Sequence, residues 1–476
     1  MGFGDTAAVA YPSAGNRSGG EMIGPADIRA LSEIVGEKSV SVGESVLDLH
    51  SHDESYHRPV RPDVVVWPHS TDEVSRIVRY ASVQKIPVTG WGVGTSLEGN
   101  PIPVKRGIVV DFQEMQKVLA IRPEDFQVDV EAGVVYKDLN KTLSRQGLFF
   151  APDPGAAATI GGMIGNNASG IRTVKYGATK ENVARLVVVL PNGDVIRIGS
   201  RARKTSSGYD LVHLFTGSEG TLGLVTEATL KLAALPANFT AVRVTYPQVR
   251  NATDTVFDVI RSGFSPAAME FLDANVIAML NRDRGLAMEE LPTLLMEFHG
   301  FSAEGLQAEM AYIEEICLQH GSTCMDKGIG REERDRIWEM RHLTFESIKR
   351  QHPGLSPLIM DVAVPLSCYS NMVAFIRREV ADMLAYVFGH AGDGNIHVII
   401  MDAPADADRW AKVEAAHGRI VAQALDYEGT CTGEHGIGIG KRRYLAVEHG
   451  SSLELMRQIK KLLDPNEICN PGKLFL

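Results

Sequence analysis

GWGVGTSLEGN, residues 90–100, is a glycine-rich loop that follows a short strand at Val88–Thr89. Such a loop after a strand suggests a dinucleotide fold, which needs a helix immediately afterwards to meet the pyrophosphate. Here Pro101 and Pro103 intervene, and the next element is another strand, GIVVDF, residues 107–112. The Rossmann reading fails on that context. The glycines still let backbone N–H groups approach a phosphate without a helix, as a nest does. Taken alone, the loop also reads as an ordinary glycine-rich turn.

Upstream, HSTDEVSRIVRYASVQKIPV reads as a helix. Ser70 and Glu73 form a capping box, and Val74, Ile77, Val78 and Ala81 recur at helical spacing. Downstream, KVLAIR and FQVDVEAG read as strands, followed by a helix near Tyr136–Gln146. Residues 149–177 are rich in Gly, Ala, Asn and Ser and carry few side chains able to build a core. Flanked by strands, this segment reads as a binding segment. RLVVVLPNGDVIRI is a hairpin around Asn192-Gly193, and residues 217–232 form a small-residue loop running into an alternating strand. From about residue 237 strands and helices alternate, with helices expected over Glu304–His320, 331–350 and 408–428. This is a second α+β domain, expected to have antiparallel strands with helices on one face.

The 476 residues exceed one ordinary core, so two or more domains are expected. Hydrophobic residues at 44% and charged residues at 22% are globular proportions. The net charge of −11 argues against a nucleic-acid partner. No basic leader and no apolar run of spanning length is present, so no transmembrane helix and a cytoplasmic location are expected. A peripheral membrane contact is compatible with this. Cys317, Cys324, Cys368, Cys431 and Cys469 are few and odd in number, which fits free thiols. Residues 1–20 are expected to be poorly ordered.

Three features resist a packing explanation: the glycine-rich segments of the first half, His390 and His397 in GHAGDGNIHV (389–398), and Glu434 and His435 in TGEHGIG (432–438). Two histidines and a carboxylate suffice for a divalent metal site with open positions. Zinc is favoured, and manganese and iron are admitted. Glu434 and His435 converge only if the backbone bends, which Gly433 and Gly436 permit. One of the pair would bind metal while the other acts as a base. The competing reading is two polar, glycine-bounded loops.

GWGVGTSLEG, PDPGAAATIGGMIGNNASG (152–170), GSEGTLG (217–223), GHAGDGNIH, TGEHGIG and NPGK (470–473) occur in one order. Together with SHDESYHRPVRPDVVVWP (51–68), this series resembles the FAD-linked 2-hydroxy-acid dehydrogenases of the vanillyl-alcohol-oxidase (PCMH-type) flavoprotein superfamily. Within that superfamily the series resembles the cytochrome-type D-lactate dehydrogenases. The resemblance runs from about residue 50 to the C-terminus.

It implies an α+β chain in four parts: an N-terminal segment (1–54), a two-lobed PCMH-type FAD-binding domain (55–236), a cap domain with an antiparallel sheet, the substrate and the metal site (237–428), and a C-terminal segment (429–476) returning to the FAD domain. It assigns Gly92, Val93, Gly94, Thr95 and Ser96 to the pyrophosphate loop. Pro152, Asp153, Thr159, Gly162, Asn166, Ser169 and Gly170 would line the FAD channel, with Val225 and Asn470 also touching the cofactor. Covalently flavinylated relatives carry a His where this chain has Thr95, so FAD is expected to be non-covalent. The metal ligands fall on His390, His397 and Glu434, the base on His435, and the carboxylate-gripping residue on Arg341 in RIWEMRH.

Relatives acting on D-2-hydroxyglutarate carry an Asn at the position of Ile399 and a Lys at that of Met360. Apolar residues there disfavour a second carboxylate, so lactate is expected over the diacid. D-2-hydroxyglutarate or glycolate oxidation is the alternative. A non-redox transferase like the ether-lipid synthases of this fold, or an electron-transfer subunit without a substrate site, comes further behind. A small 2-hydroxy acid and an external electron acceptor are the implied partners. Cytochrome, quinone, an electron-transferring flavoprotein and oxygen remain open as acceptor, and so does a homodimer.

Overall fold

A computed structural model describes residues 23–475. The expectation for residues 1–20, and with it the start of the N-terminal segment, lies outside the described residues.

The first lobe is a small sheet of three parallel strands in the order Val64–Val66, Ile108–Asp111, Val88–Trp91, with Val40–Ser41 antiparallel at one edge. The helix Thr71–Gln84 covers it and buries Val74, Ile77, Val78 and Ala81 completely, the four positions its period predicts. Each aliphatic side chain buried this way contributes about 1.5–3 kcal/mol. The cap differs slightly from a reciprocal box. Ser70 Oγ accepts the Glu73 N–H at 3.3 Å, but the Glu73 carboxylate takes the His69 N–H at 2.7 Å.

The second lobe is a five-stranded antiparallel sheet in the order Val118–Arg122, Gln127–Glu131, Leu224–Lys231, Val183–Val189, Val195–Gly199. The last two strands form the expected hairpin, and Gly193 turns it at φ +83°.

The cap is a seven-stranded antiparallel sheet, in the order Cys324–Ile329, Asn238–Thr245, Thr293–Gly300, Ala268–Leu272, Ala385–His390, Asn395–Asp402, Ser356–Ala363. The expectation of helices on one face is corrected. Four long helices, Val249–Arg261, Ala303–Gln319, Leu366–Glu379 and Ala407–Asp426, build the larger core on one face. Ala274–Arg284, Arg331–His342 and Thr344–Gln351 pack on part of the other. The strands are buried on both faces, as in a doubly covered sheet. The charged stretch 331–350 is accordingly two helices rather than one.

The chain end returns to the first lobe. Cys469 bridges Val88 in parallel fashion, and the N–H groups of Val88 and Asn470 exchange 2.7 Å bonds with Ile468 and Val88. The α+β plan with a returning C-terminus therefore holds.

Candidate active site

A cavity of about 500 Å³ lies between the glycine loops of the two lobes and the lightly covered face of the cap sheet. Gly92, Val93, Gly94, Thr95 and Ser96 line it, as do Asp153, Thr159, Gly162, Asn166, Val225 and Asn470. The loop from Gly92 has no following helix, as its prolines require. The amides of Val93, Gly94, Thr95 and Ser96 find no hydrogen-bond partner among the described residues. Four unpaired donors at a glycine-rich turn make an anion cradle. Opposite, Thr159 caps the helix Ile160–Asn166 and accepts the Gly162 N–H at 3.3 Å. A Cβ at Gly92 would stand 2.4 Å from Thr159 Oγ1, so only glycine lets the two walls approach. These features fit a dinucleotide phosphate.

Pro152, Ser169 and Gly170 stand just behind the residues that line the cavity. Gly170 packs on the backbone at Asp153, where a Cβ would meet Asp153 O at 1.8 Å, and Pro152 is buried beside them. Ser169 instead donates to Glu434 Oε2 at 2.8 Å. The Asp153 carboxylate is committed to the Tyr136 hydroxyl at 2.6 Å and Arg172 at 3.4 Å.

At the other end of the cavity the cap sheet presents one face of three neighbouring strands. His390 ends Ala385–His390, a one-turn 3-10 helix reverses the chain, and His397 lies opposite Phe388 on the return strand. Side chains two apart share a face, so His390 and His397 point the same way. Their rings are 5.0 Å apart and nearly perpendicular. Nε2 of each is 3.2 Å from Glu434 Oε1. Glu434 and His435 lie outside any strand, and Gly436 at φ +80° gives the expected bend. The His435 ring stacks on His397 at 5.1 Å, with Nε2 3.7 Å from Glu434 Oε1.

Each histidine of this pair has a carboxylate directly across the ladder. Glu270 is opposite His390 and Asp361 is opposite His397. Glu270 accepts from His390 Nδ1 at 2.5 Å, which orients the ring so that Nε2 faces Glu434. Asp361 Oδ2 accepts the N–H groups of Glu434 at 2.8 Å and His435 at 3.0 Å. Nδ1 of His397 and of His435 are buried without a hydrogen-bond partner, 3.7 and 4.0 Å from Asp361. His390, His397 and Glu434 are close enough together to hold one divalent ion, and the donor set suits it.

Burial pushes the Glu434 carboxyl up, but His390 and His397 outweigh it and hold it well below the usual range. Burial pushes His390 down, and Glu270 and Glu434 more than reverse this. His435 is pushed down to about 4 by burial, against the pull of Asp361. It is therefore neutral at pH 7. Arg341 reaches the same end of the cavity. Its Nε donates to Glu270 at 2.5 Å, and its guanidinium lies 4.9 Å over the Phe388 ring.

Sequence reasoning missed Glu270, Asp361 and Glu219, whose carboxylate accepts the N–H groups of Ile437 and Gly438. A signal existed for the first two. Each is a lone carboxylate inside an apolar strand run, which demands a buried partner. Met360 is a further correction. It points into the opposite core, while Ile359 shares the cavity wall with Ile399, its cross-strand partner.

Residues 62–199 match the FAD binding domain family, and residues 235–474 match the FAD linked oxidases, C-terminal domain. The chain belongs to the FAD-linked oxidase family. It is 38% identical over 454 residues to the probable mitochondrial D-lactate dehydrogenase of Danio rerio, covering 94% of this chain and 91% of that protein. It is 40% identical over 425 residues to the mitochondrial D-lactate dehydrogenase [cytochrome] of Arabidopsis thaliana, covering 88% of this chain and 75% of that one. p-Cresol methylhydroxylase with substrate bound shares the fold, with a TM-score of 0.76 at 16% identity over 94% of this chain and 96% of that one. This FAD-linked oxidase is a PCMH-type, FAD-dependent oxidoreductase of the 2-hydroxy-acid dehydrogenase family.

The expected cytoplasmic location is overturned, because these two relatives are mitochondrial by name. A leader is a short cleavable address and not part of the fold, so reading the sequence for one was no guide to compartment. Among the described residues no helix is long and apolar enough to cross a membrane.

Proposed function

We propose that this FAD-linked oxidase converts a D-2-hydroxy acid, D-lactate in the first instance, to the 2-oxo acid. The observation that carries the reading is the convergence of Arg341, His390, His397, Glu434 and His435 at one end of the cavity, against an apolar wall of Ile359, Ile399 and Phe388. Gly92–Ser96, Thr159, Gly162, Asn166, Val225 and Asn470 would hold the dinucleotide, within the domain plan divided after residues 54, 236 and 428. Apart from His390, His397 and His435, no His, Cys or Tyr lines the cavity among the described residues, which supports non-covalent FAD.

When bound, FAD supplies the acceptor for the C2 hydride, and a divalent cation, zinc by preference, supplies charge that acidifies the substrate hydroxyl. His390, His397 and Glu434 would hold that cation, with Glu270 fixing the His390 tautomer. Arg341 would bind the substrate carboxylate with its terminal amino groups, its Nε being occupied by Glu270. That grip places C2 between the two ends of the cavity. His435 would take the hydroxyl proton at Nε2, the nitrogen turned away from Asp361. The apolar wall suits a methyl group and leaves a second carboxylate unpaired. Stereochemistry and the role of an external electron acceptor rest on the relatives named D-lactate dehydrogenase.

The test is anaerobic reduction of the flavin in the metal-replete protein by D-lactate, L-lactate, glycolate and D-2-hydroxyglutarate in parallel. D-lactate should bleach the flavin band fastest, and chelation should stop the reaction while leaving the oxidised flavin spectrum. Bleaching by the diacid alone would overturn the apolar-wall argument.

A further inference from the structure

Glu219 sits in GSEGTLG at φ +52°, between Gly217 and Gly220, in the left-handed region that glycine occupies most easily. It is only 5% exposed. A non-glycine residue kept in that conformation points to a use for its side chain. The carboxylate accepts the Ile437 N–H at 2.6 Å, the Gly438 N–H at 2.9 Å and Asn100 Nδ2 at 2.9 Å. Its own backbone is tied on both sides. The Glu219 N–H donates to Gly165 O at 2.8 Å, and its carbonyl accepts from Asn470 Nδ2 at 2.7 Å. A Cβ at Gly436 would lie 2.8 Å from Glu219 Oε1, so the loop rests directly on this carboxylate.

On the other side of His435, Asp361 holds the N–H groups of Glu434 and His435. The segment 434–438 therefore hangs between two buried carboxylates. Asp361 belongs to the cap sheet and fixes the segment relative to His397. Glu219 belongs to the lobe that lines the flavin end of the cavity.

We propose that Glu219 is a positioning residue that sets the His435 loop in register with the flavin-binding lobe, a role that rests on the base assigned to His435 above. Hydride removal needs the proton acceptor, C2 and the flavin in fixed relation, and small misplacements are costly. Asp361 belongs to the cap and cannot supply that relation alone. The lobe's other ties to this segment are single bonds from Ser169 to Glu434 at 2.8 Å and from Asn100 to the His435 carbonyl at 3.4 Å, whereas Glu219 holds two of its backbone N–H groups.

The test compares the holoenzyme with Glu219→Gln and Glu219→Asp. Glutamine must turn an NH₂ group toward an N–H donor, so it cannot satisfy all three partners. Hydrogen exchange of the peptide spanning 433–440 should accelerate about tenfold or more in Glu219→Gln, with the cap-sheet peptides unchanged. Flavin reduction by D-lactate should slow about 100-fold at saturation, with KM little altered because Arg341 stands on another helix. The effect of deuterium at C2 should grow. Glu219→Asp, which keeps the charge, should recover part of both effects and serves if the Gln variant loses FAD.

Unchanged exchange in both variants would overturn the clamp. Faster exchange with a wild-type reduction rate would overturn the positioning role. A wild-type flavin that no 2-hydroxy acid reduces would instead remove the proposed function, while exchange still decides the clamp.

Discussion

Replacing Glu270 by Gln tests the site at the point where its two halves meet. The side chain is fully buried and accepts two hydrogen bonds of 2.5 Å, one from His390 Nδ1 and one from Arg341 Nε. Burial pushes its carboxyl up, and His390 and Arg341 outweigh that and hold it below the ordinary range. Its stabilising contribution is thus complete above the unfolded pKa of about 4.3 and is lost only as pH falls toward the lower folded value. Measurements at pH 7 therefore see the full effect. Gln offers one acceptor oxygen in place of two, and its NH₂ would face the N–H of whichever partner is left. One charge-assisted bond, worth about 1.5–3 kcal/mol, is lost. If His390 is the loser, metal affinity should fall about 10–100-fold. If Arg341 is the loser, KM for D-lactate should rise about tenfold or more. Competition against a chromophoric chelator measures the first, and steady-state kinetics at saturating metal measures the second. Flavin content should stay at the wild-type level. Wild-type metal affinity together with wild-type KM would refute the reasoning that this carboxylate supports both groups.

Replacement of His435 by Ala should leave FAD bound and cost about 10²–10⁴ in turnover, read as the anaerobic flavin-reduction rate. Gly92→Ala should force Thr159 off the helix 160–166, costing about 1 kcal/mol of capping and lowering FAD occupancy, which a fluorescence titration measures. Burial pushes His57 down to about 4 and His417 down to about 3. Both stay neutral in the fold while the unfolded chain protonates near pH 6.5, so stability is full above that pH and falls on acidification. With His435, also pushed down to about 4, three protons correspond to about 4 kcal/mol per pH unit between roughly pH 6 and 4. Denaturant titrations across that window should show the slope, and His417→Gln should remove about a third of it.

Much of this protein was legible in residue order alone. The helix 71–84 declared itself through its cap and its period, and all four predicted apolar positions are buried. The hairpin at Asn192-Gly193 was dictated by the turn it must make. The prolines after GWGVGTSLEGN ruled out a helix there, since Pro lacks a donor and crowds the preceding residue. His390, His397, Glu434 and His435 stood out because polar side chains bounded by glycines have no packing purpose.

The residues that organise those groups were not legible. Glu270, Asp361 and Glu219 precede the motifs they serve by 120, 73 and 218 positions, as their bonds to His390, Glu434 and Ile437 record. Period two says that Asp361 and Ile359 share a face and Met360 does not, but it cannot say which face looks into the cavity. That is settled by strand register. Asp361 pairs with His397, and Glu270 with His390, only because four strands of the cap sheet align at those positions. A slip of one residue would send every one of these side chains into the helix-covered core. The sequence by itself determined which groups are available and where the chain must bend. Their assembly into one site was decided by the tertiary structure, because register depends on the packing of both faces of the cap sheet at once.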